Sequence, residues 1–328
     1  MKDLTEREII RIITDRFDGD RSLPLGFSDD VSAIPLSSKT WIIVKADMLV
    51  GSTDIPVGMT VQEAARKAVV ATVSDFAAKG VRPTALMVSL GLPAPAKKKT
   101  VRDLARGLAQ AAREYNCKII GGDTNQADDL VIDVVGVGFA NPGKLVRRDG
   151  ARVGDIAAVT GAFGKSAAGL RILMSRDEKD RANYPSLVKA VLRPRARLSE
   201  GIILAESGGV TSSIDSSDGL AWGLHQIAQA SGIGINLHTI PVAADVQSFA
   251  KKHRISATEL ALYGGEEYEL LVTTTPKMFP DLKKRVPSLR RIGVAEKGSE
   301  VVAHLEGKRI QVEERGWEHF ARPSLTRP

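Results

Sequence analysis

A chain of 328 residues, 43% apolar and 26% charged, is long enough for two domains with cores of their own, and its composition is that of a globular protein. Apolar runs such as Trp41–Val44 and Val131–Val137 are far shorter than the roughly 20 residues a bilayer span requires, which argues against a membrane protein. The net charge of +7 comes from scattered cations and only 5% of residues are aromatic, so neither a nucleic-acid stripe nor a stacking platform for single strands is supported. The single cysteine, Cys117, leaves no intrachain disulfide and no cysteine-cluster metal site, and it reads as a small core residue. The N-terminus opens into a charged helical pattern without a signal-peptide apolar region, so a cytoplasmic location is expected.

In chain order, Thr5-Glu6-Arg7-Glu8 is a capping box for a first helix with Ile9, Ile10, Ile13 and Phe17 at helical spacing. A loop is expected over Leu23–Pro35, then a buried strand over Thr40–Ala46 that ends at Asp47, then a loop from Gly51 to Met59. Thr60-Val61-Gln62-Glu63 caps a second helix, which stops near Lys79 at Gly80. A strand over Thr84–Leu90, an amphipathic helix over Thr100–Tyr115, a short strand over Cys117–Ile120 and a strand over Leu130–Ala140 complete the first half. Asn141-Pro142-Gly143 is the natural boundary, which divides the chain into domains 1–141 and 142–328.

The second half restarts the pattern. It reads as a strand over Asp155–Thr160, a turn over Gly161–Gly164 and a helix from Ser166. A helical stretch over Val188–Ser207 is broken at Pro194. Ser212–Asp215 leads into Ser216-Ser217-Asp218-Gly219 and a further helix. Strands follow over Ile233–His238 and Glu267–Thr275, with short strands around Arg291–Val294, Glu300–Ala303 and Arg309–Val312. Thr160-Gly161-Ala162-Phe163-Gly164-Lys165-Ser166 superficially resembles a phosphate-binding P-loop. Its glycine spacing is too short, and Val159 stands where the first glycine belongs, so the segment reads as a structural turn.

The informative residues are aspartates at the ends of elements: Asp29-Asp30, Asp47, Asp75, Asp123, Asp215 and Asp218. Singly, each has an ordinary explanation. Asp218 suits a helix cap, Asp75 an exposed helix position and Asp123 a turn. Jointly they mark the places where α/β folds build sites. No matching cation lies near Asp75 or Asp123 on the faces expected from the local pattern. Two carboxylates about 4 Å apart repel by roughly 4 kcal/mol at an effective dielectric near 20, so a cluster calls for divalent cations. Oxygen donors without histidine or cysteine point to Mg²⁺, and Mg²⁺ held this way usually also binds phosphate.

These pieces, in this order, resemble the thiamine-monophosphate kinase family of the PurM-like (aminoimidazole ribonucleotide synthetase) superfamily. The resemblance is carried by Gly26-Phe27-Ser28-Asp29-Asp30, Asp47-Met48-Leu49-Val50, Ser74-Asp75-Phe76-Ala77-Ala78-Lys79-Gly80, Gly121-Gly122-Asp123-Thr124 and Arg148-Asp149-Gly150 through Asp155. Asp215-Ser216-Ser217-Asp218-Gly219-Leu220, Gly264-Gly265-Glu266-Glu267-Tyr268-Glu269-Leu270 and the tail Gly316-Trp317-Glu318-His319-Phe320 complete it. It implies an α/β (α+β) fold in two PurM-like domains: an N-terminal mixed sheet with helices that pairs across a homodimer, and a C-terminal α/β sandwich. The family's Mg²⁺ ligands match Asp30, Asp47, Asp75, Asp123, Asp215 and Asp218. Its ATP contacts match Gly122, Asp123, Arg148 and Ser217, and its thiamine-phosphate contacts match Asp54, Glu266 and Trp317. Where the family often has Ser-Thr before the central aspartate, this chain has Lys45-Ala46. Ala46 offers only its carbonyl, and Lys45 either meets a phosphate or is a solvated strand end. The family frequently has histidine where Asp54 stands.

The implied chemistry is in-line attack by a thiamine-phosphate oxygen on the γ-phosphorus of ATP, giving thiamine diphosphate and ADP. A phosphate monoester is largely dianionic at neutral pH and needs no general base; it needs its repulsion from ATP offset by Mg²⁺ and Arg148. Other branches of the superfamily activate an amide or carbonyl oxygen with ATP, as in purine-ring closure. Selenophosphate or hydrogenase-maturation activities would call for a reactive cysteine, which is absent at either end. A basic nucleic-acid module and a relative that binds nucleotide without turnover are the remaining alternatives.

Overall fold

The computed structural model describes residues 4–17, 23–25, 29–305 and 307–320. The Gly26-Phe27-Ser28 part of the first aspartate motif lies outside the described residues. Two sheets carry the fold. The first contains β1 (Ser32–Ser37), β2 (Thr40–Val50), β3 (Pro83–Leu92), β4 (Lys118–Gln126) and β5 (Val131–Ala140), in the spatial order β1-β2-β5-β3-β4. Only β3 and β4 pair in parallel. The second contains β6 (Ile156–Val159), β7 (Val210–Asp215), β8 (Gly234–Leu237), β9 (Leu270–Thr274), β10 (Arg290–Glu296), β11 (Val301–Leu305) and β12 (Lys308–Gln311). Its order is β12-β11-β8-β10-β6-β9-β7, with β8 and β11 parallel.

The helices before the second sheet are α1 (Glu6–Thr14), the single turn α2 (Gly51–Asp54), α3 (Val61–Ala78) and α4 (Lys98–Glu114). Those interleaved with the second sheet are α5 (Lys165–Ser175), α6 (Glu178–Asn183), α7 (Pro185–Leu192), α8 (Leu198–Glu206), α9 (Leu220–Ser231), α10 (Ala244–His253), α11 (Ala257–Tyr263) and α12 (Phe279–Arg285). No helix among the described residues is long and apolar enough to cross a membrane. Both sequence-read capping boxes form, at Thr5/Glu8 and Thr60/Glu63.

Several strands run further than the sequence suggests. Asp47 does not end β2, which continues to Val50, because β5 pairs with it over the whole length. Gly121-Gly122 do not stop β4. A Cβ on Gly122 would fall on the Val88 carbonyl, so glycine is what lets this strand close on β3. Ser32–Pro35, expected as loop, belongs to β1, where Pro35 is tolerated on an edge strand. β9 begins only at Leu270, because Glu266 and Tyr268 take left-handed φ values of 61° and 52° that no strand accommodates.

Helix α3 organises the rest. It is buried almost all round, from Ala64 to Ala78, as expected of a helix enclosed by protein on every side. One apolar cluster runs from Ile132 and Val134 of β5, through Val69 and Val73 of α3, to Ile202 of α8 and Leu270 of β9. Each such side chain contributes about 1.5–3 kcal/mol when fully buried. The end of α3 meets α8 at close range. A Cβ on Gly201 would land on the Ala77 carbonyl, and Gly80, at φ 68°, lies against Ala205.

That crossing fixes α3, and with it Asp75, against the second sheet. Gly201→Ala should therefore destabilise the protein by about 1–3 kcal/mol through overpacking. Urea denaturation reads this, and an unchanged midpoint would show that the helices have room to part.

Candidate active site

In β2, residues 43, 45, 47 and 49 alternate onto the face covered by α3, as the burial of Ile43 and Leu49 shows. This puts Lys45 and Asp47 beside α3, opposite Gly136 and Val134 of β5. Asp75 comes from the last turns of α3, Asp215 from the end of β7, and Asp30 from the segment before β1. Asp30, Asp75 and Asp215 are all buried, and each offers a carboxylate oxygen within 4.8 Å of the others. Ser74 Oγ donates to Asp215 Oδ2 at 2.6 Å, tying α3 to β7 at the centre of the group.

Cations enclose it. Lys79 is fully buried, and its Nζ lies 2.6 Å from Asp29 Oδ1 and 2.7 Å from Asp30 Oδ2 while donating to the Ser213 carbonyl at 2.8 Å. Arg148 pairs with Asp30 and also donates to Gln226 Oε1 at 3.2 Å. Lys45 Nζ lies 3.1 Å from Asp75 Oδ2. The local pattern had placed no cation near Asp75; Lys45 arrives from a different strand, a contact made only by the tertiary fold.

The carboxyls respond unequally. Burial would raise Asp30, but Lys79 and Arg148 outweigh it and hold the group below its ordinary range. Burial raises Asp75 well above that range; Lys45 opposes the rise, and Asp215, Asp47 and Asp30 add to it. Asp215 is pushed up to about 6, by burial first and by Asp30 next, with Ser74 opposing. Asp218 is pushed up to about 7 by burial and by Asp215. Asp47, half-buried, adds its negative field to Lys45, Asp75, Asp215 and Asp218.

A second group forms beside the first. The Ser217 carbonyl accepts from the Glu266 N–H at 2.6 Å, and the Asp218 carbonyl accepts from the Trp317 N–H at 2.9 Å. A Cβ on Gly265 would crowd the Ser217 carbonyl and lie 3.3 Å from Trp317 Cβ. The turn, the glycine-rich loop and the tail are thus laced together by backbone contacts. Sequence reading missed Lys67, which joins two candidate contacts. Its nearly buried Nζ pairs with Glu266 and donates to the Asp54 carbonyl at 2.9 Å. The Asp54 carboxylate is itself turned back to accept the Val50 N–H at 2.7 Å. The sequence signal for Lys67 is an Arg66-Lys67 pair entering the apolar run Ala68-Val69-Val70-Ala71.

Gly122 and Asp123 stand apart. Asp123 is exposed on the edge strand β4, in the row of Ser89, Asp133 and Met48, one residue out of step with the row holding Asp47. It therefore lies on the opposite face of the sheet from Asp47, outside the buried triad. The P-loop-like turn offers no cradle: the Glu269 carboxylate fills the space against Gly161, held by Arg197 and by Thr160 Oγ1 at 2.6 Å.

The donor set suits a hard divalent ion. Three carboxylates converge, and Ser216 Oγ is buried beside Asp215 without a hydrogen-bond partner. Asp30, Asp75 and Asp215 would hold such an ion, which would supply positive charge between them.

Comparison with known proteins gives a consistent picture. Residues 28–140 match the family described as AIR synthase related protein, N-terminal domain. The chain is 38% identical over 324 residues to a thiamine-monophosphate kinase of Nitrosopumilus maritimus, covering 98% of this chain and 100% of the relative. It is 36% identical over 322 residues to that of Pyrococcus horikoshii, covering 98% and 97%. Among solved structures it resembles AaThiL complexed with AMPPCP and TMP, with a TM-score of 0.85, 30% identity and 97% of each chain covered.

Raised carboxyls keep their protons in the folded chain at pH values where the unfolded chain has lost them. Between the ordinary value of 3.8 and about 7, Asp215 and Asp218 make the folded state the better proton binder. Stability of the metal-free protein should therefore fall as pH rises from about 4 to about 7, and added Mg²⁺ should restore it at the upper end. Melting temperatures in chelator across that range test this; a flat or rising profile would contradict it.

Proposed function

The chain belongs to the thiamine-monophosphate kinase family, and from that premise we propose that it transfers the γ-phosphoryl group of ATP to thiamine monophosphate, giving thiamine diphosphate and ADP. The observation that carries the proposal is the buried convergence of Asp30, Asp75 and Asp215 from three separate segments. These residues would hold Mg²⁺, flanked by Asp47 and Asp218. When bound, the ion supplies positive charge that offsets repulsion between the phosphates. A relative of 30% identity that was solved with AMPPCP and TMP supports nucleotide and phosphate-ester sites in the same fold.

The chain's own groups divide the remaining work. Arg148, held at Asp30, presents a fixed guanidinium beside the triad, where it neutralises phosphate oxygens. Ser217 and Gly122 contact ATP. Asp54, Glu266 and Trp317 contact the acceptor, and Lys67 keeps the first two at a fixed separation. Trp317 is 40% exposed, leaving its ring open to stack on a flat cationic heterocycle. No residue need act as general base, because the acceptor oxygen is already anionic at neutral pH.

Two further elements belong to the proposal. The face of the first sheet away from α3 exposes Met48, Met87 and Phe139, which favours pairing of this sheet in a homodimer. Asp123 lies on that same face, so its metal and nucleotide contacts would be made across the pair. Residues 1–141 form the nucleotide-binding and pairing domain and 142–328 the second domain, in a protein that works in the cytoplasm.

Incubation with ATP, Mg²⁺ and thiamine monophosphate should yield thiamine diphosphate by chromatography; its absence while nucleotide binds would sink the assignment. Asp75→Asn should lower turnover at least about 100-fold, since metal charge stabilisation is worth several kcal/mol. Its melting temperature should barely change, because the amide keeps the shape of the carboxylate, its oxygen can still accept from Lys45, and one of the like charges beside Asp47 and Asp215 is removed. Full activity in this variant would remove Asp75 from the metal site.

A further inference from the structure

Lys45 is a cation where cations of another kind are expected. It extends from β2 onto the α3 face of the sheet, with Nζ 3.1 Å from Asp75 Oδ2. Four carboxylates act on its charge: Asp75 from α3, Asp47 from its own strand, Asp215 from β7 and Asp218 from the turn beyond, while β5 opposite it presents Gly136. Its side chain is 25% exposed against 9% for Asp75, so it approaches the triad from the open side, where phosphates would arrive. Lys79, by contrast, is sealed inside with three oxygen acceptors and serves the fold.

We propose that the Lys45 ammonium fills a cation seat beside Asp75, Asp47 and Asp215, so that this chain takes up one divalent ion fewer there than its carboxylates alone would hold. The proposal rests on the assignment of these carboxylates to Mg²⁺. An ammonium is a compact point charge that donates to carboxylate oxygens much as a hydrated ion does. It occupies Asp75 Oδ2, which a second divalent ion would need, and its charge repels a second ion placed there, while the other Asp75 oxygen stays free for the triad. Lys45 is thus a positioning residue with a permanent charge: it keeps Asp75 aimed into the site and meets the incoming phosphates whatever the Mg²⁺ concentration.

The test counts ions directly. Mn²⁺ bound per chain is measured by electron paramagnetic resonance, with a non-hydrolysable ATP analogue present, for the wild-type protein, Lys45→Thr and Lys45→Arg. Lys45→Thr should bind about one more Mn²⁺ per chain, because a hydroxyl donor replaces a competing charge. Lys45→Arg, which keeps the charge, should retain the wild-type count. The activity of Lys45→Thr should also rise more steeply with Mg²⁺ concentration. Equal counts in all three proteins, or a lost ion in Lys45→Thr, would overturn the proposal. If Lys45→Thr fails to fold, as circular dichroism would show, the count is taken on Lys45→Gln, which keeps the side-chain length. Formation of thiamine diphosphate by the wild-type protein is scored separately. Its absence would remove the phosphotransfer assignment and leave the ion count standing, whereas equal counts with normal product formation would remove only the role of Lys45.

Discussion

Carboxylates brought close together away from water repel, and each also loses its hydration. Asp30, Asp75 and Asp215 are held in that condition, and the surrounding structure is arranged around the charge they create. Lys79 and Arg148 neutralise Asp30 from inside, Lys45 approaches Asp75 from the open side, and the Ser74 hydroxyl serves Asp215. The result is graded. Asp30 stays ionised, whereas Asp75 and Asp215 are left under-compensated and poised for a cation. Removing a fully buried partner such as Lys79 would leave charge uncompensated at a cost of about 3–5 kcal/mol.

Holding such a group in place requires a rigid support, and α3 supplies it. The helix is enclosed by both sheets, so its polar residues near the end have fixed positions relative to β2 on one side and β7 on the other. Glycines at the α3–α8 crossing remove the side chains that would keep the backbones apart. Earlier on the same helix, Lys67 joins the Asp54 turn to the Glu266 loop. The buried carboxylates and this link are therefore registered on a single element. Rigid placement of this kind is what in-line transfer demands, since its catalysis is mostly positioning and charge.

Much of this was legible in the sequence where the cause is local. The capping boxes at Thr5 and Thr60 and the stop at Gly80 are set by neighbours within a few residues. The aspartates could be picked out because carboxylates are out of place at the ends of apolar elements. What could not be read depends on distant partners. Asp47 looked like a strand terminus because the length of β5 opposite it is not encoded beside it. Lys45 read as a phosphate contact or a solvated strand end, and Lys67 and Lys79 carried no site signal of their own; each finds its carboxylate on another segment. Asp123 carried the same motif signal as Asp75, but strand register sends it to the other face of the sheet. The motifs named the residues, and topology decided which of them meet.

The central claim is that Asp30, Asp75 and Asp215 hold a divalent ion between the phosphates. Anomalous diffraction from crystals grown with Mn²⁺ and a non-hydrolysable ATP analogue tests it most directly. The account predicts an anomalous peak among these three carboxylates, about 2.0–2.3 Å from an oxygen of each, with phosphate oxygens completing the shell. Bound nucleotide without a peak at the triad, or with Mn²⁺ held wholly elsewhere, would contradict it.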